Sequence, residues 1–173
     1  MGKDKALLQF EGNNLLDRAV DLCRTFCDEI LISSDSAAHE IIGIRRIADE
    51  QKDCGPMGGI YSCLKQSANE WNLVLSVDAP YVEPDFVRFL QKNTDEFEAV
   101  VPVHANKKEP LIALYKRNTL PVFEYLLDEG NYKMHFLLER IYTHFVKVDH
   151  WLGQYPRIFD NINTPEDLFQ SNQ

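Results

Sequence analysis

The chain has 173 residues, of which 45% are hydrophobic, 11% aromatic and 26% charged, a balance typical of one globular domain spanning residues 1–173. Its formal net charge of −9 argues against a nucleic-acid-binding protein, because such binding depends on clustered lysine and arginine side chains. No apolar run is long enough to cross a membrane, and the charged start leads into no signal-type apolar core. A cytoplasmic protein without a membrane segment is therefore expected.

The first half of the chain alternates between helical and β-type patterns. Asn14 can cap a helix whose apolar positions follow a 3.6-residue period as far as Cys27. A turn from Gly55 to Gly59 opens a second helix that runs to about Lys65. Strands are predicted over residues 29–33, 41–48 and 71–77. The last of these is almost continuously apolar, which predicts a parallel strand covered on both faces.

The second half continues the alternation. Pro84 suits the first turn of a helix, and the polar stretch 104–109 predicts a hairpin-like excursion between two strands. The further predicted elements are strands over 98–103, 111–115 and 145–148, helices over 120–128 and 135–142, and a short final helix after residue 161. Strands alternating with helices imply right-handed crossovers, so the predicted fold is an α/β three-layer sandwich with a mostly parallel sheet.

Three polar residues come at the ends of predicted strands: Ser33, Asp49 and Asp78. Ligands of open α/β sheets bind outside the carboxyl ends of the strands, so these side chains form a candidate site. Asp78 could hold Mg²⁺ against nucleotide phosphates, or it could cap the turn that Pro80 stiffens, and the pattern leaves both interpretations open.

Other polar features are weaker signals. The Gly55 to Gly59 turn allows close backbone approach and places N–H groups at a helix start, although glycine and proline also mark ordinary turns. Lys5 lies so near the start of the chain that a solvated terminal charge is the default interpretation. The five histidines and four cysteines have neither zinc-ligand nor CxxC spacing, so neither a zinc site nor a disulfide is expected.

Five segments in order give the chain a resemblance to the molybdenum cofactor guanylyltransferases, within the Rossmann-like nucleotidyltransferases. They are Met1-Gly-Lys-Asp-Lys-Ala-Leu-Leu8, Gly55-Pro-Met-Gly-Gly59, Val77-Asp-Ala-Pro-Tyr81, Glu109-Pro-Leu-Ile-Ala-Leu-Tyr115 and Asn161-Ile-Asn-Thr-Pro-Glu-Asp167. The resemblance runs from end to end. It implies transfer of GMP from GTP to the terminal phosphate of molybdopterin, with Mg²⁺ as cofactor and release of pyrophosphate.

The resemblance also implies roles for single residues. Lys5 matches a lysine that contacts the nucleotide phosphates, and Asp78 matches an aspartate that binds Mg²⁺. Asp49 matches an acidic residue that contacts GTP, Ser33 stands where members often have asparagine, and the turn at Gly55 matches the loop that shapes the base pocket. Asn161 and Asn163 match residues near the pterin phosphate. The implied partners are GTP, molybdopterin and possible molybdoenzymes or molybdenum-insertion proteins.

The chain departs from this family at its start. Members open with a strand and a Leu-Ala-Gly-Gly-x-Ser-x-Arg-Met-Gly-x-Asp-Lys loop, whereas this sequence begins at the methionine of that motif. We therefore expect that the start is truncated or misassigned and that a central strand and the phosphate loop are missing. Two alternatives stay open: a cytidylyltransferase or other nucleotidyltransferase of the same fold, or a non-catalytic binding protein.

Overall fold

A computed structural model describes residues 4–164 and residue 167. The described helices are α1 (Leu15–Arg24), α2 (Gly55–Gln66), α3 (Pro84–Gln91), α4 (Leu120–Asp128), α5 (Met134–Leu138) and α6 (Asp149–Gln154). The described strands are β1 (Gln9–Phe10), β2 (Asn13–Asn14), β3 (Leu31–Ser33), β4 (Arg45–Ile47), β5 (Trp71–Leu75), β6 (Ala99–His104), β7 (Lys107–Lys108), β8 (Ile112–Lys116) and β9 (Thr143–Lys147). In this part of the chain, no helix is both long and apolar enough to span a membrane.

The strands form one large sheet and two small ones. In the large sheet the order is β5–β8–β6–β9, with β7 added to β6 as a hairpin. Strand β8 runs antiparallel to β5 and β6, whereas β9 is parallel to β6. Strands β3 and β4 form a separate parallel pair, and β1 pairs with β2 antiparallel. The sheet is therefore mixed, because the excursion through β7 reverses the direction of β8.

Helices cover both faces of the large sheet. Along β8, Ala113 and Tyr115 are buried against α2, α4 and α5, whereas Ile112 and Leu114 are buried on the opposite side against α3. This alternation follows from the two-residue period of a strand. The predicted α/β three-layer sandwich is thus confirmed, whereas the sheet predicted to be mostly parallel is mixed, since β8 lies antiparallel between β5 and β6.

Local sequence signals place several elements as predicted. The Asn14 side chain accepts the N–H of Asp17 at 2.7 Å and so caps α1. The β6–β7 hairpin turns at Ala105 and Asn106, both with positive φ (43° and 65°), as a two-residue hairpin turn requires. The Asp149 carboxylate accepts the Ala105 N–H at 2.9 Å, and this bond lowers the pKa of Asp149 below its ordinary value.

The prediction for β5 is wrong in two respects, the first being that β5 pairs antiparallel, with β8, and not with a parallel neighbour. Its sequence predicts a strand covered on both faces, yet all five of its residues are only half-buried. The cause is a cavity of about 620 Å³ along the edge of β5 that faces away from β8. The opposite wall of the cavity is β3, so β3 and β5 lie on its two sides.

The remaining differences are shifted element ends and three elements that were not predicted, β1, β2 and α6. Helix α5 ends at Leu138 rather than Tyr142, and β4 begins only at Arg45. The predicted final helix lies outside the described residues, apart from Asp167, as do Met1, Gly2 and Lys3 of the first resembling segment.

Candidate functional site

Asp78 is anchored at the carboxyl end of β5. Its carboxylate oxygen Oδ1 accepts the hydroxyl of Ser76 at 2.5 Å, and its backbone carbonyl accepts the N–H of Ile162 at 2.8 Å. Ile162 is buried together with Leu8 and Leu15. The loop that carries Asn161 and Asn163 is therefore fastened to the backbone of Asp78, which explains how residues more than 80 positions apart in sequence share one edge of the sheet.

Lys5 is held at the same edge. Its Nζ donates to Oδ1 of Asn163 at 2.7 Å, and the residue belongs to a 3₁₀ helix, Lys5–Leu7. The Asp4 side chain caps that short helix by accepting the Ala6 N–H at 3.1 Å. Lys5 thus has a defined place rather than being a loose terminal charge. Asn161 is exposed in the same loop, and of the two asparagines it is Asn163 that contacts Lys5.

Asp167 fixes the shape of the asparagine loop. Its Oδ2 accepts the backbone N–H groups of Asn163 and Thr164 at 2.8 and 2.9 Å. These two donors lower the pKa of Asp167 below its ordinary value, with a smaller contribution from the Lys5 charge. The carboxylate form of Asp167 is therefore the form that holds Asn163 beside Lys5.

This arrangement predicts a loop that is insensitive to pH until the medium is strongly acidic. Because the folded pKa of Asp167 is depressed, its stabilisation is fully present above the unfolded value of about 3.9 and is lost as the pH falls through the folded value. We expect the amide proton shifts of Asn163 and Thr164 to stay constant from neutral pH to about pH 4, and then to move.

The Asp167→Ala variant removes the carboxylate that holds the asparagine loop, so its spectrum shows the resonances of the loop without this anchor. At neutral pH it should already show the shifted Asn163 and Thr164 resonances, whereas Asp85→Ala, an exposed aspartate on α3, should leave them in place. A loop whose resonances titrate near neutral pH, or that ignores Asp167→Ala, would contradict the assignment of Asp167 as its anchor.

A second polar group lies at the ends of β3 and β4. The Ser33 hydroxyl donates to Oδ1 of Asp49 at 3.1 Å. Gly59 of α2 packs directly on this pair, since a Cβ added there would overlap the Ser33 hydroxyl and lie 3.4 Å from Asp49 Oδ1. At Gly58, an added Cβ would lie 3.2 Å from the Gln51 carbonyl oxygen. Close backbone approach is therefore the role of Gly58 and Gly59.

Gly55 has a different role from the one its motif predicts. It begins α2 with a φ of +57°, and an added Cβ there would meet open space. Glycine is needed for backbone conformation, not for close approach. The preceding Cys54 makes no side-chain cap, so the first N–H groups of α2 are not satisfied by a capping side chain. Such a helix start can bind an anion or the edge of a base.

The sequence did not predict that side chains connect the Lys5 segment to the Ser33–Asp49 pair. Asp4 Oδ2 lies 2.8 Å from His39 Nε2, and His39 Nδ1 lies 2.6 Å from Ser34 Oγ. This chain of side chains joins the segment that carries Lys5 to the end of β3. No spacing signal could have revealed it, because Asp4 and His39 are 35 residues apart and neither belongs to a motif.

Cys23, Cys27, Cys54 and Cys63 are free thiols. The interaction between the two neighbouring thiols raises the pKa of Cys23 and lowers the pKa of Cys27. Within the described residues, no group of three or more His, Cys, Asp or Glu side chains could hold a metal ion.

Comparisons with known proteins identify the family of the chain. The MobA-like NTP transferase domain matches residues 1–145. A probable molybdenum cofactor guanylyltransferase of Halalkalibacterium halodurans is 32% identical, over 96% of this chain and 88% of the relative. A molybdenum cofactor guanylyltransferase of Vibrio vulnificus is 29% identical, over 99% of this chain and 88% of the relative.

Solved structures share the fold. Molybdopterin-guanine dinucleotide biosynthesis protein A of Archaeoglobus fulgidus superposes with a TM-score of 0.80 at 22% identity, covering 96% of this chain and 88% of the other. The 2-C-methyl-D-erythritol 4-phosphate cytidylyltransferase of Thermus thermophilus superposes with a TM-score of 0.74 at 16% identity, covering 96% and 91%. The family match spans most of the sequence, and the chain belongs to the MobA-like NTP transferases.

Proposed function

We propose that this protein transfers GMP from GTP to the terminal phosphate of molybdopterin in molybdenum cofactor biosynthesis. An oxygen of the pterin phosphate attacks the α-phosphorus of GTP. A new phosphorus–oxygen bond forms there, the bond between the α-phosphorus and its bridging oxygen breaks, and pyrophosphate leaves. The reaction takes place in the cytoplasm. The protein then interacts with a molybdoenzyme or a molybdenum-insertion protein that receives the product.

One observation carries the proposal: a carboxylate and a lysine share the carboxyl edge of β5. Asp78 lies there, and its backbone carbonyl binds the loop that carries Asn163. The Asn163 side chain in turn accepts a hydrogen bond from the Lys5 ammonium group. A single carboxylate fits Mg²⁺, which prefers one or two protein carboxylates and completes its shell with phosphate oxygens and water. Bound there, the metal would neutralise charge on the phosphates and orient them.

The chain's own groups then act mainly by position and charge. Lys5 supplies a positive charge beside the phosphates, and Asn163 fixes the direction of its side chain. Asn161, exposed on the same loop, is available to the pterin phosphate. No protein nucleophile is required, since the attacking oxygen belongs to the acceptor, and such reactions are catalysed chiefly by alignment and electrostatic stabilisation.

The Ser33–Asp49 group and the start of α2 suit the base of the nucleotide. A carboxylate such as that of Asp49 accepts hydrogen bonds, and the guanine edge offers donors to it. The α2 start at Gly55 adds backbone N–H donors that no side chain caps. This complementarity supports GTP, while a cytidylyltransferase of the same fold is the alternative that a direct comparison of GTP with CTP decides.

The test combines binding and turnover. With Mg²⁺ present and GTP at 100 times its dissociation constant, the free energy of unfolding should rise by about 2.7 kcal/mol, whereas CTP should have little effect. Incubation with molybdopterin should then release pyrophosphate and form a product with the mass of the dinucleotide. Both assays are run on the 173-residue chain and on a variant extended at its amino terminus by a strand and a glycine-rich loop.

The outcomes separate the candidate functions. Stabilisation by CTP and a cytidine product would establish the cytidylyltransferase alternative. A lack of nucleotide-dependent stabilisation in both proteins, even at millimolar GTP and Mg²⁺, would overturn the enzyme assignment and favour a binding protein.

A further inference from the structure

Two arginines flank the Asp78 loop, which runs from Asp78 to Tyr81. The guanidinium carbon of Arg157 lies 4.2 Å from the centroid of the Tyr81 ring. Arg18 donates from Nε to the Pro80 carbonyl oxygen at 2.6 Å. A guanidinium group within about 6 Å of an aromatic ring is attracted by the negative face of the ring. One positive charge therefore holds a side chain of the loop, and another holds its backbone.

The Tyr81 ring also packs against buried residues. It meets the Phe10 ring edge-on, with the centroids 5.4 Å apart and an interplanar angle of 90°. Both rings pack in the cluster that contains Ile162. The guanidinium carbon of Arg18 lies 5.1 Å from the Phe10 centroid. The two rings therefore link the guanidinium contact on Tyr81 to the buried Ile162 and to helix α1.

Arg157 stands at the start of the asparagine loop. Its Nε donates to Oδ2 of Asp160 at 3.1 Å, and Asp160 directly precedes Asn161. Further along the loop, the Ile162 N–H donates to the Asp78 carbonyl oxygen at 2.8 Å. The Asp78 loop and the asparagine loop thus meet at two points, through a side chain at Arg157 and through the backbone at Ile162.

Of these two contacts, the one at Arg157 is accessible to substitution. The Arg157 side chain is 35% exposed, and its partner Tyr81 is half-buried. Ile162 is fully buried, so a change there would disturb the core. An effect of Arg157 on the two loops can therefore be measured separately from an effect on the fold.

We propose that Arg157 is a positioning residue, which acts through the Tyr81 ring to hold the Asp78 loop against the asparagine loop. The proposal rests on the proposed function, in which the first loop binds Mg²⁺ and the second binds the acceptor phosphate. Alignment of the two is critical, because a misplacement of about 1 Å can lower a rate by about 100-fold. Loss of the Arg157 contact should therefore impair alignment of the reactants more than binding of GTP.

Three variants of the 173-residue chain test the proposal. Arg157→Gln removes the charge and keeps a hydrogen-bond donor, whereas Arg157→Lys keeps a cation that can lie over the same ring. The matched control is Arg88→Gln on α3. Arg88 also lies over a ring, 5.2 Å from the Phe26 centroid, and also pairs with an aspartate three residues away, Asp85, at 2.7 Å.

The first measurement is hydrogen exchange at the Ile162 amide, which requires neither nucleotide nor turnover. Arg157→Gln should accelerate this exchange by about 10-fold, because the two loops separate more often without the contact between charge and ring. Exchange along β8 should stay the same, Arg157→Lys should restore most of the protection, and Arg88→Gln should have no effect at Ile162. Unchanged exchange in Arg157→Gln, or an equal acceleration in Arg88→Gln, would overturn the proposal.

The second measurement is steady-state release of pyrophosphate. In Arg157→Gln, kcat should fall by about 10-fold while the KM for GTP stays within about twofold, and Arg157→Lys should recover most of kcat. A loss confined to the KM for GTP, or no recovery with lysine, would contradict a positioning role. If the parent chain releases no pyrophosphate although Arg157→Gln accelerates exchange at Ile162, the proposed function fails while the coupling of the two loops stands.

Discussion

Replacing Asp78 by asparagine is expected to lower the rate of guanylyl transfer by about 1,000-fold, which corresponds to about 4 kcal/mol of transition-state stabilisation. Asparagine keeps the shape of the side chain and can still accept the Ser76 hydroxyl, but it lacks the negative charge that attracts Mg²⁺. The backbone bond from Ile162 to the residue 78 carbonyl is untouched, so the fold should persist. The measurement is pyrophosphate release at saturating GTP over a range of Mg²⁺ concentrations.

The matched control is Asp85→Asn, seven residues further along the chain. Asp85 is exposed at the start of α3 and pairs with Arg88 at 2.7 Å, so its replacement should leave the rate unchanged. If Asp78→Asn retains more than about a tenth of the activity, Asp78 is only a turn residue and the metal assignment is wrong.

Substituting Gly59 with alanine is the change we expect to destabilise the protein most clearly, by about 2 kcal/mol, or about 6 °C in Tm. The new methyl group would overlap the Ser33 hydroxyl and lie 3.3 Å from the Ser33 Cβ. The Ser33 hydroxyl must then rotate away or α2 must shift from β3, and either change breaks the hydrogen bond between Ser33 and Asp49. Thermal and urea denaturation measure the effect on stability.

Two companion variants make the result specific. Gly153→Ala in α6 meets nothing within 4 Å, so it should be neutral or slightly stabilising. Adding Ser33→Ala to Gly59→Ala removes the overlapping hydroxyl and should recover part of the lost stability. Additive losses in the double variant would show that the contact between residues 33 and 59 is not the cause.

Helix caps and turns can be predicted from the sequence because they depend on neighbouring residues, whereas contacts between distant segments cannot. The Asn14 cap and the turn at Ala105 and Asn106 follow from neighbouring residues, and the structure has both. The meeting of Ser33 with Asp49 was expected because strand ends share an edge. The Lys5–Asn163 contact spans 158 residues and was accessible only through the resemblance of both segments to one family.

Three features were not predicted, because a sequence pattern shows which environment a residue requires but not which distant residues surround it. The apolar run of β5 indicates a strand that needs burial on both sides, but it carries no information about whether a neighbouring strand is present. His39 belongs to no motif, and its position between Asp4 and Ser34 depends on how three separate segments converge. Gly55 was singled out with its neighbours, although the close packing is made by Gly58 and Gly59.

The cavity between β3 and β5 also sets the order in which the parts of the molecule unfold. Outside the first turn of α2, the hydrogen bonds between the described segments 4–54 and 55–164 use side chains, as in the bond from Arg18 to the Pro80 carbonyl. The large sheet, by contrast, is held by continuous backbone ladders. The amino-terminal third is therefore a separate cooperative unit that opens before the rest. Proteolysis under native conditions should begin there and leave a resistant fragment containing β5 to β9.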